Sequence, residues 1–226
     1  KRMNQTYDVL VVGGGIAGLT AAAYCAKVGL QTLVCERGQI TGGLVNSFSS
    51  RGYTFDAGIR ALEDSGVISP MLRSLGLSLD LVKNPVSVGI ADRSVRLEGK
   101  ESLAPYADLF RSFFPEESDA IDAIIAEIVK VMRYMDVLYG IENPLFLENE
   151  LKDPRYLTKT LLPWLMKYSV NIKKASRLSL PVVEYLKKFT ANEALIDMIC
   201  QHFFQETPTF FALSYFGLYL DYRYPV

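Results

Sequence analysis

Along the first hundred residues, apolar positions come in short runs separated by glycine-rich turns. Tyr7–Val12 is an unbroken β-rich run, the pattern of a strand buried on both faces. Ile16–Val28 follows as a helix, and Gly29 stands where a glycine ends one. Leu30–Cys35 is a second strand. Leu44–Ser49 and Tyr53–Phe55 are two more, joined through Ser50-Arg51-Gly52 as a hairpin, with Asp56-Ala57-Gly58 ending the second. Ile68–Leu75 reads as a short helix stopped by Gly76. Pro85–Ile90 and Ser94–Leu97 alternate and flank Ala91-Asp92-Arg93, a second hairpin.

From about residue 100 the period becomes helical. Leu103–Phe114 is the first helix. Ser118 is placed to cap the next, where Ile121, Ile124, Ile125, Ile128, Met132 and Met135 share one face and Gly140 closes the element. Asp153-Pro154 is an N-cap and first-turn pair for a helix interrupted near Pro163. Ser179 with Pro181 opens Val182–Phe189. Asn192 opens Glu193–Phe204, with Leu195, Ile196, Ile199 and Phe203 as its stripe. Pro208 starts Thr209–Leu220, which is apolar almost throughout. The fold class predicted is α/β: a Rossmann-like βαβ unit with β-hairpins over 3–100, then a mainly α-helical region over 101–226.

Two uncharged runs invite a membrane reading. Val9–Ala26 has 18 residues without a charge, and Lys1-Arg2 with Ala21-Ala22-Ala23 mimics a secretory leader. Three consecutive glycines, Asp8 at the front edge and a following strand that ends in an acid fit neither. Lys1-Arg2 reads as an addition ahead of a native start at Met3. Thr207–Leu220 is uncharged over 14 residues, too short to span, and is expected as a buried helix in preference to the wall of an apolar substrate tunnel. Leu161, Leu162, Trp164, Leu165 and Met166 beside Lys167 could dip into a membrane surface, but packing on neighbouring helices is the favoured expectation.

Composition narrows the chemistry. Half the residues are hydrophobic, enough for a sizeable core, and the net charge of −1 without a basic block argues against nucleic acid as a partner. Three scattered cysteines (Cys25, Cys35, Cys200) form no CxxC pair, which argues against a disulfide framework or a zinc site and fits a reducing, cytoplasmic setting. The single histidine, His202, sits among apolar residues and is expected in the core. Its isolation disfavours Ser-His-Asp hydrolysis and histidine-based metal sites.

Gly13-x-Gly15-x-x-Gly18 lies between the first strand and its helix. In such a unit the first glycine permits the tight turn. The second lets backbone approach a pyrophosphate, and the third lets the helix pack against the strand. Free N–H groups and the positive dipole end of the helix then face the phosphates. Glu36, 23 residues after Gly13, can accept hydrogen bonds from both hydroxyls of an adenosine ribose and disfavours a 2′-phosphate, with Arg37 weakening that point slightly. Gly42-Gly43 and Phe55–Gly58 add two places where backbone can approach a ligand, as an extended cofactor with a second ring requires. The alternative is that these glycines only make turns.

VVGGGIAGLTAAAYCAKVGLQTLVCER followed by GGLVNSFSSRGYTFDAG resembles the FAD-dependent phytoene desaturase and carotenoid isomerase-like family, a branch of the amine-oxidase-like flavoproteins. The resemblance recurs in MLRSLGL, thins across the helices and returns in TPTFFALSYFGLYLDYRYP. It implies FAD extended along the βαβ unit and a helical region over a long apolar substrate. Gly13, Gly15, Ile16, Ala17 and Gly18 would form the pyrophosphate turn, and Glu36 and Arg37 would face the ribose. Gly43 and Leu44 would run beside the cofactor's middle, and Gly58, Ile59 and Arg60 would lie near the isoalloxazine ring. Many relatives carry Arg where Leu44 stands; Arg60 is either its substitute or a surface charge.

The resemblance implies an FAD-dependent desaturase, saturase or redox-dependent isomerase of a polyene or isoprenoid. The alternatives are an amine-oxidase-like flavoenzyme or a non-enzymatic prenyl-binding protein of the same architecture. The family continues beyond the point matched by Val226, so an N-terminal portion of a longer protein is expected. No catalytic acid or base stands out; Asp56 reads as a turn former. The expected location is cytoplasmic, with peripheral membrane contact as an alternative.

Overall fold

A computed structural model describes residues 6–58, 62, 66–147, 150–201, 203–204 and 206–225. The elements run β1 (Val9–Val12), α1 (Ile16–Lys27), β2 (Thr32–Cys35), β3 (Ser47–Ser50), β4 (Tyr53–Asp56), α2 (Ile68–Ser74), β5 (Leu81–Lys83), β6 (Val86–Ile90) and β7 (Arg93–Leu97). Then follow α3 (Leu103–Arg111), α4 (Ser118–Leu138), α5 (Pro154–Tyr156), α6 (Leu162–Ser176), α7 (Val182–Leu186), α8 (Glu193–Cys200), α9 (Thr209–Leu220) and β8 (Arg223–Pro225). The α/β class agrees with the sequence. Two compact units emerge: Lys1–Leu62 with Met71–Leu81 and Tyr224–Val226, and Glu63–Pro70 with Val82–Arg223.

In the first unit β1 and β2 pair in parallel, from Val9 opposite Thr32 to Val12 opposite Cys35. Val11 faces α1, since a Cβ on Gly18 would lie 3.3 Å from its Cγ1. Leu10 and Val12 are 60% and 82% exposed, which corrects the expectation of a strand buried on both faces. The described residues place a helix on only one face of this pair. Helix α1 ends as predicted: Gly29 takes φ +89° and its N–H donates to Ala26 O. Lys27 Nζ donates to Ser74 O at 2.6 Å, and the Tyr24 and Ser74 hydroxyls are hydrogen-bonded, tying α1 to the end of α2. Between β3 and β4, Arg51 and Gly52 both have positive φ, the two-residue turn whose twist matches antiparallel strands. Phe48 and Phe55 stack across the pair at 5.4 Å.

The second unit holds the large core. Strands β6 and β7 form the predicted hairpin, with Ile90 opposite Arg93 and Ala91 at φ +53°. Their buried Val88 and Leu97 join Tyr106, Phe110, Ile128 and Phe216. Helix α4 buries Ile121, Ile124, Ile128, Val131 and Met132; of the stripe read from the sequence, Ile125 and Met135 are only half-buried, and Val131 is added. Ser118 is not its cap. A 3₁₀ turn over Pro115–Glu117 runs straight into the helix, so Ser118 is already helical and its hydroxyl donates to Pro115 O.

Asp153 caps α5 by accepting from Arg155 N–H at 2.8 Å. No break follows at Pro163. A π-helical turn over Leu157–Leu161 comes immediately before it and joins α5 to α6. The widened turn accommodates a residue that lacks an N–H and whose ring crowds the preceding carbonyl. Asn192 caps α8 by accepting from Leu195 N–H, as predicted, although the helix ends at Cys200. Helix α9 turns Thr209, Ala212, Leu213, Phe216 and Leu220 into the core, the buried role expected of it. No helix among the described residues is long and apolar enough to cross a membrane.

Candidate functional site

The glycine turn between β1 and α1 separates three jobs that the motif only implied. Gly13 has φ +104°, a conformation that L side chains rarely adopt, and its N–H donates to Cys35 O at 2.8 Å. This bond draws the turn towards the end of β2. A Cβ on Gly18 would fall 2.0 Å from Gly13 O, so helix and turn can approach this closely only around a bare Cα. A Cβ on Gly15 would meet nothing within 4 Å, although Gly15 caps α1 in an extended conformation that any residue adopts. Gly15 therefore leaves open space at a helix start. Beyond it Ile16 and Ala17 are exposed, and the first N–H groups of the helix have no acceptor one turn earlier. That combination suits an anionic group brought close to backbone.

Glu36 follows β2 and reaches back to the turn. Its Oε2 accepts from Gly14 N–H at 2.6 Å and its Oε1 from Gly38 N–H at 2.7 Å. These donors, Gly38 first and Gly14 second, hold the carboxyl below its usual range. A carboxylate has about four lone-pair directions, so both oxygens keep capacity for further donors. The middle glycine, Gly14, carried no role in the sequence reading. It is buried, and a Cβ there would meet Thr41 Cγ2 at 2.9 Å and Glu36 Oε2 at 3.1 Å. The uninterrupted run of three glycines was its only signal.

The second glycine pair lies directly on the first. Gly42 N–H donates to Gly14 O at 2.7 Å, and Gly15 and Gly42 form an isolated parallel bridge. Gly43 has φ +62°, and a Cβ there would stand 3.2 Å from Gly15 Cα. Leu44 is exposed beside it. Gly58 is packed against the same segment, since a Cβ on it would come 2.3 Å from Leu44 O. Gly13, Gly15, Ile16, Ala17, Gly18, Glu36, Gly43, Leu44 and Gly58 thus gather around one turn, with Arg37 exposed next to Glu36. Ile59, Arg60 and His202 lie outside the described residues.

Open space at Gly15, donors at the helix start and a carboxylate at the second strand fit the adenosine and pyrophosphate portion of a dinucleotide. No group of three or more metal-ligating side chains occurs among the described residues. Burial pushes the Cys200 thiol up to about 11, away from nucleophilic use near neutrality. The second unit contains a separate cavity of about 560 Å³, lined in part by Met132, Met135, Gly217 and Leu220 and by Lys83, Lys100 and Asp136.

Fold and turn together define a class: residues 11–75 match the NAD(P)-binding Rossmann-like domain. The chain is 30% identical over 155 residues to the chloroplastic prolycopene isomerase of Daucus carota, covering 64% of this chain and 25% of that protein. It is 30% identical over 133 residues to the all-trans-retinol 13,14-reductase of Danio rerio, covering 55% and 22%. A Danio rerio protein named inactive all-trans-retinol 13,14-reductase is 49% identical over 51 residues, 23% of this chain and 8% of that protein. Among solved structures, putrescine oxidase aligns with a TM-score of 0.53 at 15% identity, over 97% of this chain and 46% of that one. An oxidoreductase from Methanosarcina mazei aligns with a TM-score of 0.52 at 18% identity, over 96% and 45%. The chain thus spans about a quarter of the length of the curated relatives. These relatives bear out the resemblance to the carotenoid isomerase-like family, and the solved structures bear out the amine-oxidase-like fold.

Proposed function

We propose that this chain forms the adenosine and pyrophosphate side of an FAD site in an oxidoreductase acting on a long apolar polyene or isoprenoid. The observation that carries the FAD reading is the seating of Gly42-Gly43 on the glycine turn, through Gly42 N–H to Gly14 O and the close approach of Gly43 to Gly15. A nucleotide-binding turn alone needs no such second layer. Two glycine segments in contact offer one extended track of bare backbone, which suits a cofactor longer than a mononucleotide.

In this reading the α1 start and Gly15 hold the pyrophosphate, and Glu36, pre-set by two backbone N–H groups, takes the ribose hydroxyls. Leu44 and Gly58 lie further along the cofactor, with Ile59 and Arg60 next in sequence. When bound, the flavin supplies hydride exchange, and the protein contributes orientation and exclusion of water. The polyene class rests on the prolycopene and retinol named for the relatives.

The first test is spectroscopic. Protein purified in its native reading frame is expected to be yellow with bound FAD, or to bind added FAD. Colourless protein that fails to take up FAD sinks the flavoenzyme reading and leaves a prenyl-binding protein of the same architecture. Turnover of an amine beside inactivity on polyenes would move the chain to the amine-oxidase-like alternative.

A further inference from the structure

The loop between β2 and β3 carries Gly42 and Gly43, both at positive φ, +116° and +62°. Glycine loses more conformational freedom on ordering than any other residue, so a loop built on two of them needs ties to stay in one place. Two ties are backbone bonds: Gly42 N–H donates to Gly14 O at 2.7 Å, and Val45 N–H donates to Gly42 O at 3.1 Å. A third comes from a side chain. Asn46 Nδ2 donates to Thr41 O at 3.0 Å and closes Thr41–Asn46 into a ring around the glycine pair.

The same residue fastens that ring to the β3–β4 hairpin. Asn46 Oδ1 accepts from Ser47 N–H at 2.8 Å, and Asn46 O accepts from Ala57 N–H at 2.8 Å, one residue past β4. A side-chain amide offers both a donor and an acceptor, and here each is used on backbone. Asn46 is half-buried, and a Cβ on Gly42 would stand 3.3 Å from its Nδ2. The amide thus lies against the glycine whose N–H meets Gly14. Contact runs from the hairpin through Asn46 to Gly42-Gly43 and on to Gly14 and Gly15. The glycine turn is held by bonds of its own, Gly13 N–H to Cys35 O and Gly14 N–H to Glu36. In the sequence Asn46 sits inside the β-like run Leu44–Ser49 and carries no signal of this role; the strand itself begins only at Ser47.

We infer that Asn46 is a positioning residue for the cofactor site. By closing the Thr41–Asn46 ring it holds Gly42-Gly43 on the glycine turn before any ligand arrives, and so sets the affinity for the part of the cofactor beyond its ADP portion. The inference rests on the FAD reading above. Its physical content is pre-order: a ligand meeting a loose glycine loop loses affinity by the freedom that loop must give up, and a loop already tied spares that loss. The adenosine-side groups, Gly15, the α1 start and Glu36, are fixed by other bonds, so Asn46 separates one part of the ligand's affinity from the other.

The test compares FAD and ADP binding by calorimetric titration of ligand-free protein in its native reading frame. Asn46→Asp keeps the size of the side chain and the bond from Ser47 N–H but turns an acceptor towards Thr41 O. Asn46→Ala removes both side-chain bonds. Each is expected to weaken FAD binding by roughly three- to ten-fold, the worth of one hydrogen bond, and to leave ADP binding within about two-fold of wild type. Amide exchange at Gly42 and Gly43 without ligand should be faster in both variants, with the thermal midpoint near the wild-type value. An unchanged ratio of FAD to ADP affinity in Asn46→Asp overturns the inference, as does unchanged exchange at the glycine pair. FAD and ADP affinities that fall together with the thermal midpoint make Asn46 a residue of the fold and not of the site. Wild-type protein that binds ADP but not FAD defeats the FAD reading itself, and this inference with it.

Discussion

Gly15 and Gly18 stand three residues apart, yet a methyl group on each meets a different environment. At Gly18 it runs into Gly13 O, backbone that cannot move without parting α1 from the turn. Gly18→Ala should therefore cost about 1–3 kcal/mol of stability in denaturant unfolding. At Gly15 the methyl enters open space. Gly15→Ala should keep wild-type stability but weaken FAD binding by tenfold or more in a fluorescence titration, because the methyl occupies the ligand's path. Equal affinity in Gly15→Ala would remove the turn from the cofactor site. Glu36 makes a pH-dependent prediction. Its carboxyl is held below 4.5, so its contribution is present in full above that value and is lost as pH falls through the folded value. The difference in thermal midpoint between wild type and Glu36→Gln should be level near neutrality and shrink in acid.

At the scale of elements, caps and breakers carry the information. Asn192 was legible because an Asx side chain just before an apolar stripe has one obvious role, and its Oδ1 accepts Leu195 N–H. Asn192→Ala should cost about 1 kcal/mol in chemical unfolding, whereas Asn192→Asp should largely keep wild-type stability. Ser118 misled for a local reason: the Pro115–Glu117 turn starts the helical path before it. Pro163 misled in the opposite direction. A proline predicts a break, but a π turn placed just before it preserves the helix, and that compensation involves Leu157–Leu161, which carry no breaker signal of their own.

The two units differ as whole bodies. Among the described residues Ala22 is the one buried hydrophobic side chain of the first unit, whereas the second assembles a cluster from Val88 to Leu220. Hydrogen exchange should accordingly be slow in α4, α8 and α9 and fast in β1, β2 and α1 without ligand. FAD at about a hundred times its dissociation constant adds roughly 2.7 kcal/mol, so protection should rise selectively across residues 8–58. Uniform protection without FAD, or an FAD effect confined to the helices, would contradict this picture.

By itself the sequence determined the βαβ unit, both hairpins, most helices and the glycine positions that suit a dinucleotide. These are local: periodicity, turn residues and caps act within a few neighbours along the chain. Tertiary structure alone decided the rest. Gly42 on Gly14, Glu36 folded back to Gly14 N–H and the methyl-sized vacancy at Gly15 depend on segments 22 or more residues apart meeting at chosen distances. The same holds for α6, whose two apolar faces look alike in sequence. Only packing shows that Trp164 is held against Val137 O while Met166 is left outside, because burial is a property of what surrounds a side chain and not of the side chain itself.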